Sequence, residues 1–256
     1  MTPEILKSLL QDLRLPTAAR DLESILSNQK NAVSLGWVAD LLEHEIDSRR
    51  ENSLKARLKS ARFPEITTLE GFDFSFNPDI DEEKIRELAT LKFMDQNQIA
   101  LFLGAPGVGK THLALAIGVL AVRDGRRVCC MSAKRLSQEI MLGKHRGTLD
   151  LVFKRLLSAH LWIIDDWGVV SMNREVAEEI FDLMDRRKHS SAMILTSNRD
   201  VSEWAEVFPD PIIANATVDR IFDRAKMVLF KGESYRLKGR IVTKPIKDID
   251  ELAVKH

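Results

Sequence analysis

The stretch Gly104-Ala-Pro-Gly-Val-Gly-Lys-Thr111 decides the fold. It follows Gln98-Ile-Ala-Leu-Phe-Leu103, an apolar run of strand length, and precedes His112-Leu-Ala-Leu-Ala-Ile-Gly-Val-Leu-Ala121, which reads as a helix. Strand, G-x-x-x-x-G-K-[ST] and helix, in that order, form the context of a phosphate-binding loop. The glycines let the backbone wrap an anion with its N–H groups pointing inward, and the helix N-terminus adds partial positive charge. In such a loop Lys110 reaches the β- and γ-phosphates of a nucleotide, and the Thr111 hydroxyl binds Mg²⁺. A Gly-rich turn matching by chance would lack the flanking strand and helix.

Downstream, Leu161-Trp-Ile-Ile-Asp165-Asp166 is a buried strand that ends in two carboxylates. Ligands of an open parallel sheet sit beyond the carboxyl ends of its strands, which brings both acids beside the phosphate loop. Asp165 is expected to hold Mg²⁺ through water, and Asp166 to orient or deprotonate an attacking water. The bland alternative is a loop carrying two solvated acids. Ala192-Met-Ile-Leu-Thr-Ser-Asn198 is another buried strand with polar residues at its end. Asn198 either polarises water near the γ-phosphate or merely forms a turn.

Strands are also expected at Arg127–Met131 and Met227–Phe230, with helices at 81–92, 134–141, 149–159, 175–189, 201–208 and 211–225. Strand, helix, strand from 98 to 131 is a βαβ unit, so the sheet is mostly parallel. Gly143-Lys-His-Arg-Gly147 reads as a basic turn, solvated or facing DNA. Residues 3–62 read as three helices, with Pro16 breaking the leucine pattern and Thr17 as a cap. The third helix, from Leu35, runs into Arg49–Arg62, which has six basic residues and one acidic one. That run is either a solvated helix face or a surface for phosphate contact along nucleic acid. Between Pro64 and Asp81 lies a linker in which Phe72, Phe74 and Phe76 alternate. They fit a short strand or a place near an adenine, though ordinary core packing is the simpler reading.

The composition excludes little. Lys+Arg and Asp+Glu each count 38, so total charge names no partner. The only cysteines, Cys129 and Cys130, are adjacent and poor disulfide partners, which fits a cytoplasmic protein. The histidines show no metal-ligand spacing, and His112 is expected to pack within its helix. No apolar run is long enough to span a bilayer, and the first residues lack a signal-peptide core. From Arg220 to Lys244 there are eight basic and two acidic residues.

Together, Gly104–Ala114, Ile163-Ile-Asp-Asp-Trp-Gly168, Thr196-Ser-Asn198, Asp219-Arg220 and Gly232-Glu-Ser-Tyr-Arg236 resemble the IstB-like ATPases. These are helper proteins of bacterial insertion sequences, related to the DnaC helicase loader within the AAA+ superfamily. The resemblance extends to Leu13-Arg-Leu-Pro16 and so covers nearly the whole chain. It implies an α/β fold: an AAA+ P-loop core with a five-stranded parallel sheet over 66–256, behind a small all-α domain, 1–65, that binds DNA or a partner. Too few residues follow the fifth strand for the helical lid of many AAA+ proteins. The implied cofactors are ATP, held by Gly104, Ala105, Pro106, Gly107, Val108, Gly109, Lys110, Thr111, His112 and Arg236, and Mg²⁺, held by Thr111 and Asp165. Lys110, Asp166, Asn198 and Arg220 are the implied catalytic residues. Asn198 matches the sensor I position and Arg220 an arginine finger reaching a neighbouring subunit; from sequence alone, Arg220 reads as a salt bridge to Asp219 or Asp223. Asp166 stands where many relatives have Glu, one methylene longer, so slow or activated hydrolysis is expected.

The expected function is a DNA-binding ATPase that assembles with itself on double-stranded DNA and assists a transposase. A second reading keeps the ATPase but makes it a helicase loader on single-stranded DNA. A third, of another class, is a P-loop small-molecule kinase, which needs an acceptor pocket and a lid contributing arginines; the Asp165–Asp166 pair, Asn198 and the long basic C-terminal segment fit water as acceptor better.

Overall fold

The computed structural model describes residues 2–27, 36–188 and 190–237, with residue 37 in backbone only. Leu35, His189 and the basic residues from Lys238 to Lys244 lie outside the described residues. The chain divides into two compact units, one up to Ser60 and one from Ala61.

The first unit holds α1 (Pro3–Asp12), α2 (Pro16–Ser27) and the long α3 (Gly36–Ala61). Pro16 opens α2 as its first residue, rather than standing before a Thr17 cap. A first-turn proline suits that place, because its missing N–H would have no helical partner there. Leu6, Leu22 and Ala39 form a small core, with Leu9, Leu10 and Leu42 packed against it. The first residue of the basic run belongs to this unit's architecture: Arg49 donates to Glu45 at 2.6 Å and to the Leu13 carbonyl at 3.2 Å. Arg50 and Lys55 pair with Asp47 and Glu51 one turn away on exposed surface. Such pairs contribute at most about 1 kcal/mol, so these cations exchange partners at little cost.

The second unit begins with a segment of turns over 62–81. It continues through α4 (Glu82–Ala89), α5 (Lys92–Asp95), β1 (Ile99–Gly104), α6 (Lys110–Arg123), β2 (Val128–Ser132), α7 (Ala133–His145) and α8 (Leu149–Leu157). Next come β3 (Leu161–Asp165), α9 (Arg174–Arg187), β4 (Ala192–Ser197), a 3-10 helix (Val201–Val207), α10 (Pro211–Phe222), β5 (Ala225–Phe230) and a 3-10 turn (Tyr235–Leu237). The strands form one five-stranded sheet in the order β2-β3-β4-β1-β5. All four pairings are parallel. β1 and β4 are buried almost throughout. A parallel sheet is covered on both faces, which is why these strands read as continuous apolar runs rather than alternating ones.

Helix α6 is buried from Leu113 to Val119. An apolar girdle on all sides is the mark of a buried helix. A Cβ added at Gly118 would lie 2.4 Å from Ile163 of β3 and 2.9 Å from the Phe63 ring, so α6 is sandwiched between the sheet and the segment that follows Ala61.

Three local expectations change. α7 runs on through Gly143, Lys144 and His145, so the basic stretch is its last turn rather than a loop. Gly143 is tolerated in the helix because Leu149 and Val152 pack directly on it. Lys144 sits 3.1 Å from Glu179 of α9, a structural use of the charge. Finally, Phe72, Phe74 and Phe76 form no strand.

Candidate functional site

The sheet order makes the site. After β1 the chain crosses to the far edge, and β3 and β4 then fill in towards it. The carboxyl ends of β1, β3 and β4 therefore share one rim, where the phosphate loop, Asp165 and Asn198 meet. A cavity of about 390 Å³ opens there. Ligand pockets commonly begin at roughly 300 Å³.

One wall is the loop itself. Pro106 to His112 line the cavity, while Gly104 and Ala105 contribute their carbonyls to Lys110. Lys110 is buried, and its Nζ donates to both carbonyls at 2.6 Å. Burial pushes its ammonium down to about 8, against the opposing pull of the Asp166 and Asp165 charges. A lysine held this way gains from an arriving anion, since phosphate would supply the charge that burial took away. Gly107 has φ 82°, and a Cβ there would meet the Ser234 Oγ at 2.0 Å. Only glycine accepts both that backbone and that approach.

At the carboxyl end of β3, the Thr111 hydroxyl donates to Asp165 Oδ1 at 2.8 Å, and the Thr196 hydroxyl donates to the same oxygen at 2.5 Å. A hydroxyl and a carboxylate make an oxygen-only donor pair, which fits Mg²⁺; that ion usually takes one or two carboxylates plus substrate phosphates rather than a full protein cage.

Next to it, Asp166 adopts a left-handed backbone, φ 56°. Its N–H donates to Thr196 Oγ1 at 3.1 Å, which holds that unusual turn. Asn198 Nδ2 donates to Asp166 Oδ1 at 3.2 Å. Burial raises the Asp166 carboxyl above the ordinary aspartate range, and the Asp165 charge adds to this, while Lys110 and Asn198 oppose it. A raised carboxyl beside a phosphate site is suited to accept a proton from water.

The opposite wall was less visible in the sequence. Phe72 and Phe76 line the cavity, with Tyr235 and Arg236 of the segment after β5. The Phe72 ring packs on Gly109, where a Cβ would sit 2.4 Å from it, and lies 5.5 Å from the His112 ring. Phe76 meets Tyr235 edge to face at 5.0 Å. So two of the three phenylalanines belong to the site and not simply to the core. Their alternation was a signal; Glu65, Asp73 and Asn77, which also line the cavity, gave none. His112 turns its ring towards Thr68, with Nε2 3.2 Å from that carbonyl, and anchors the segment to the loop helix.

Arg220 lies apart from this cavity. On α10 its Nε donates to Asp185 Oδ1 at 3.1 Å, and its guanidinium lies 4.0 Å from the centre of the Phe181 ring. Arg220 does form a salt bridge, but with Asp185 of α9 and not with Asp219 or Asp223 as the sequence suggested. Among the described residues no helix is long and apolar enough to cross a membrane.

The chain is 39% identical over 96% of both lengths to a protein of Pseudomonas aeruginosa named as the ATP-binding protein of insertion sequence IS21. It is 36% identical to a corresponding IS5376 protein of Geobacillus stearothermophilus, over 78% of this chain and 80% of that one. Among solved structures, AMPPCP-bound DnaA from Aquifex aeolicus superposes with TM-score 0.55 at 23% identity, covering 69% of this chain and 53% of that one. The DnaC helicase loader gives 0.50 at 23% identity, over 58% and 87%. These two show that the fold is the AAA+ P-loop core; the chain spans about half the length of the DnaA structure. The family of IstB-like ATP binding proteins matches residues 8–243, and the chain belongs to it.

Proposed function

We propose that the chain is an ATPase that assembles on duplex DNA in the presence of ATP and assists the transposase of an insertion sequence. The observation that carries the ATPase part is the convergence, on one cavity, of Lys110, the Thr111–Asp165 pair and the Asp166–Asn198 pair. The insertion-sequence relatives support the transposition part.

In this reading Lys110 and the loop N–H groups bind the phosphates, with His112 and Arg236 at the edges of the site. Thr111 and Asp165 would hold Mg²⁺, which supplies charge neutralisation at the phosphates. Asp166 takes the proton of the attacking water, and the Asn198 amide keeps its carboxylate aimed. The shorter aspartate leaves the water further from its base than a glutamate would, so basal turnover is slow.

Arg220 would act on a neighbouring subunit. Its bond to Asp185 is partly exposed on both sides, 29% and 44%. Leaving such a partner costs about 1 kcal/mol or less, so contact across a subunit interface would offset it. An arginine supplied to a phosphoryl-transfer site is worth roughly 10³-fold or more in rate. Hydrolysis thereby becomes conditional on assembly. The basic segments 49–62 and 220–244, Arg220 apart, would supply sequence-tolerant contacts to DNA phosphates.

Phosphate release from ATP, measured with and without duplex DNA at two salt concentrations, tests the reading. DNA-stimulated release that fades steeply with salt is expected. Release that ignores DNA, or needs a small-molecule acceptor, would contradict it.

A further inference from the structure

The far wall of the cavity depends on one buried side chain that no motif marks. Asn77 is 4% exposed. Its Oδ1 accepts from the N–H of Glu233 at 3.1 Å, and its Nδ2 donates to the carbonyl of the same residue at 3.2 Å. A side-chain amide thus pairs with both sides of one backbone residue, as a neighbouring strand would. The Asn77 backbone is itself fixed, with its carbonyl accepting from Ile80 N–H at 3.1 Å. Two further contacts lie along the same stretch: Tyr235 N–H donates to the Gly107 carbonyl at 2.9 Å, and its ring meets Phe76 at 5.0 Å. The approach at Gly232 is so close that an added Cβ would fall 2.2 Å from Asn77 Oδ1.

This clasp determines what faces the cavity. Tyr235 and Arg236 line it, and both follow Glu233 by only two and three residues. The Arg236 charge acts on Lys110 and on Asp166, so the side chain stands near the phosphate end of the site. Residues 231–237 add no strand of their own beyond β5 and carry a single short turn. Their placement therefore rests on partners outside the segment, and Asn77 supplies the two bonds that involve a buried side chain.

We infer that Asn77 is a positioning residue for nucleotide binding: it clasps the backbone at Glu233 and so seats Tyr235 and Arg236 across the phosphate loop. The inference rests on the nucleotide reading above and adds to it the residue that holds the second wall closed.

Tyr235 is the only tyrosine in the chain, so fluorotyrosine labelling gives a single ¹⁹F resonance from this segment. Tyr235 is 53% exposed but its ring meets Phe76 edge to face, so in the unmutated protein its resonance is expected to be displaced from that of free fluorotyrosine and to shift on adding ATP. Asn77→Ala should release the ring from Phe76 and move the resonance to the position of free fluorotyrosine before any nucleotide is added. Gly232→Ala should do the same from the other side of the clasp while leaving Asn77 in place. By titration calorimetry both variants should weaken ATP binding roughly tenfold, the loss expected from two such hydrogen bonds. Arg236→Ala should weaken it too, and combining it with Asn77→Ala should add little. Unchanged ATP affinity in both clasp variants, or full additivity with Arg236→Ala, would overturn the positioning role even if the variants melt earlier. Absence of ATP binding by the unmutated protein would instead overturn the nucleotide reading and this inference with it.

Discussion

The two walls of the nucleotide cavity are built in opposite ways. The phosphate wall is nearly continuous in sequence: Pro106 to His112 form it, on a loop between a buried strand and a buried helix. The facing wall is assembled from Phe72, Phe76 and Asn77 on one side of that loop in sequence and Tyr235 and Arg236 far on the other. The first wall gets its geometry from local backbone chemistry. The second exists only once distant segments have packed. It follows that the first should set whether phosphate binds at all, and the second how tightly the nucleotide is held.

Arg220 belongs to neither wall, and its removal should have the largest effect on turnover. Arg220→Ala is expected to lower DNA-stimulated hydrolysis by about 10³-fold while ATP affinity of the isolated chain stays within twofold. Equal DNA-stimulated hydrolysis with and without Arg220, read from phosphate release by the assembled protein, would remove the subunit-interface role.

Lys110→Ala attacks the phosphate wall and should weaken ATP binding by roughly 100-fold, since a charged hydrogen-bonding group to the phosphates is lost. Calorimetry gives the number. Affinity close to the unmutated value would break the assignment of that wall.

Phe72→Ala attacks the facing wall. It removes the ring stacked on Gly109 and beside His112, and a loss of about tenfold in ATP affinity is expected, within the range of a truncated aromatic contact. The effect should be the same for ADP, because the Phe72 ring packs on Gly109 and beside His112 and carries no charge to meet the terminal phosphate. A loss as large as that of Lys110→Ala would contradict the division of labour between the walls.

The effect that is smallest near neutral pH concerns the Lys110 proton. Burial lowers the Lys110 ammonium to about 8 in the free protein. Phosphate binding favours the charged form, so the bound protein keeps its proton to higher pH. Affinity should therefore be level at and below neutral pH and fall as pH rises through about 8. The drop is at most about tenfold per pH unit for a single proton. An ordinary lysine, near 10.5, would leave affinity level to well above pH 9. Flat binding from pH 7 to 9.5 would show that Lys110 is not held as buried as the fold places it.

Legibility from the sequence follows the same contrast. The phosphate loop, the Asp165–Asp166 strand end and the strand ending at Asn198 were readable because each motif is short and its flanks fix its backbone. β1 to β4 could be read because burial on both faces leaves continuous apolar runs, as in Ile99–Leu103 and Ala192–Leu195, whereas β5 is an edge strand with Met227 and Leu229 exposed. Boundaries shifted where one contact overrode local preference: Gly143 continues α7 because α8 packs on it, and Pro16 starts α2 instead of stopping the chain before a cap. Asn77 could not be found, because an asparagine in a turn-rich stretch looks like any turn residue until Glu233 arrives from 156 positions away. The Asp185 partner of Arg220 was hidden for the same reason, with 35 positions between them.

The central claim is that nucleotide in this cavity drives assembly on duplex DNA, and sedimentation velocity on a duplex of defined length tests it most directly. With ATP the particle should grow beyond a single chain per DNA, and it should not grow without ATP or with Lys110→Ala. Growth on single-stranded DNA alone, or the same particle size with and without ATP, would contradict it.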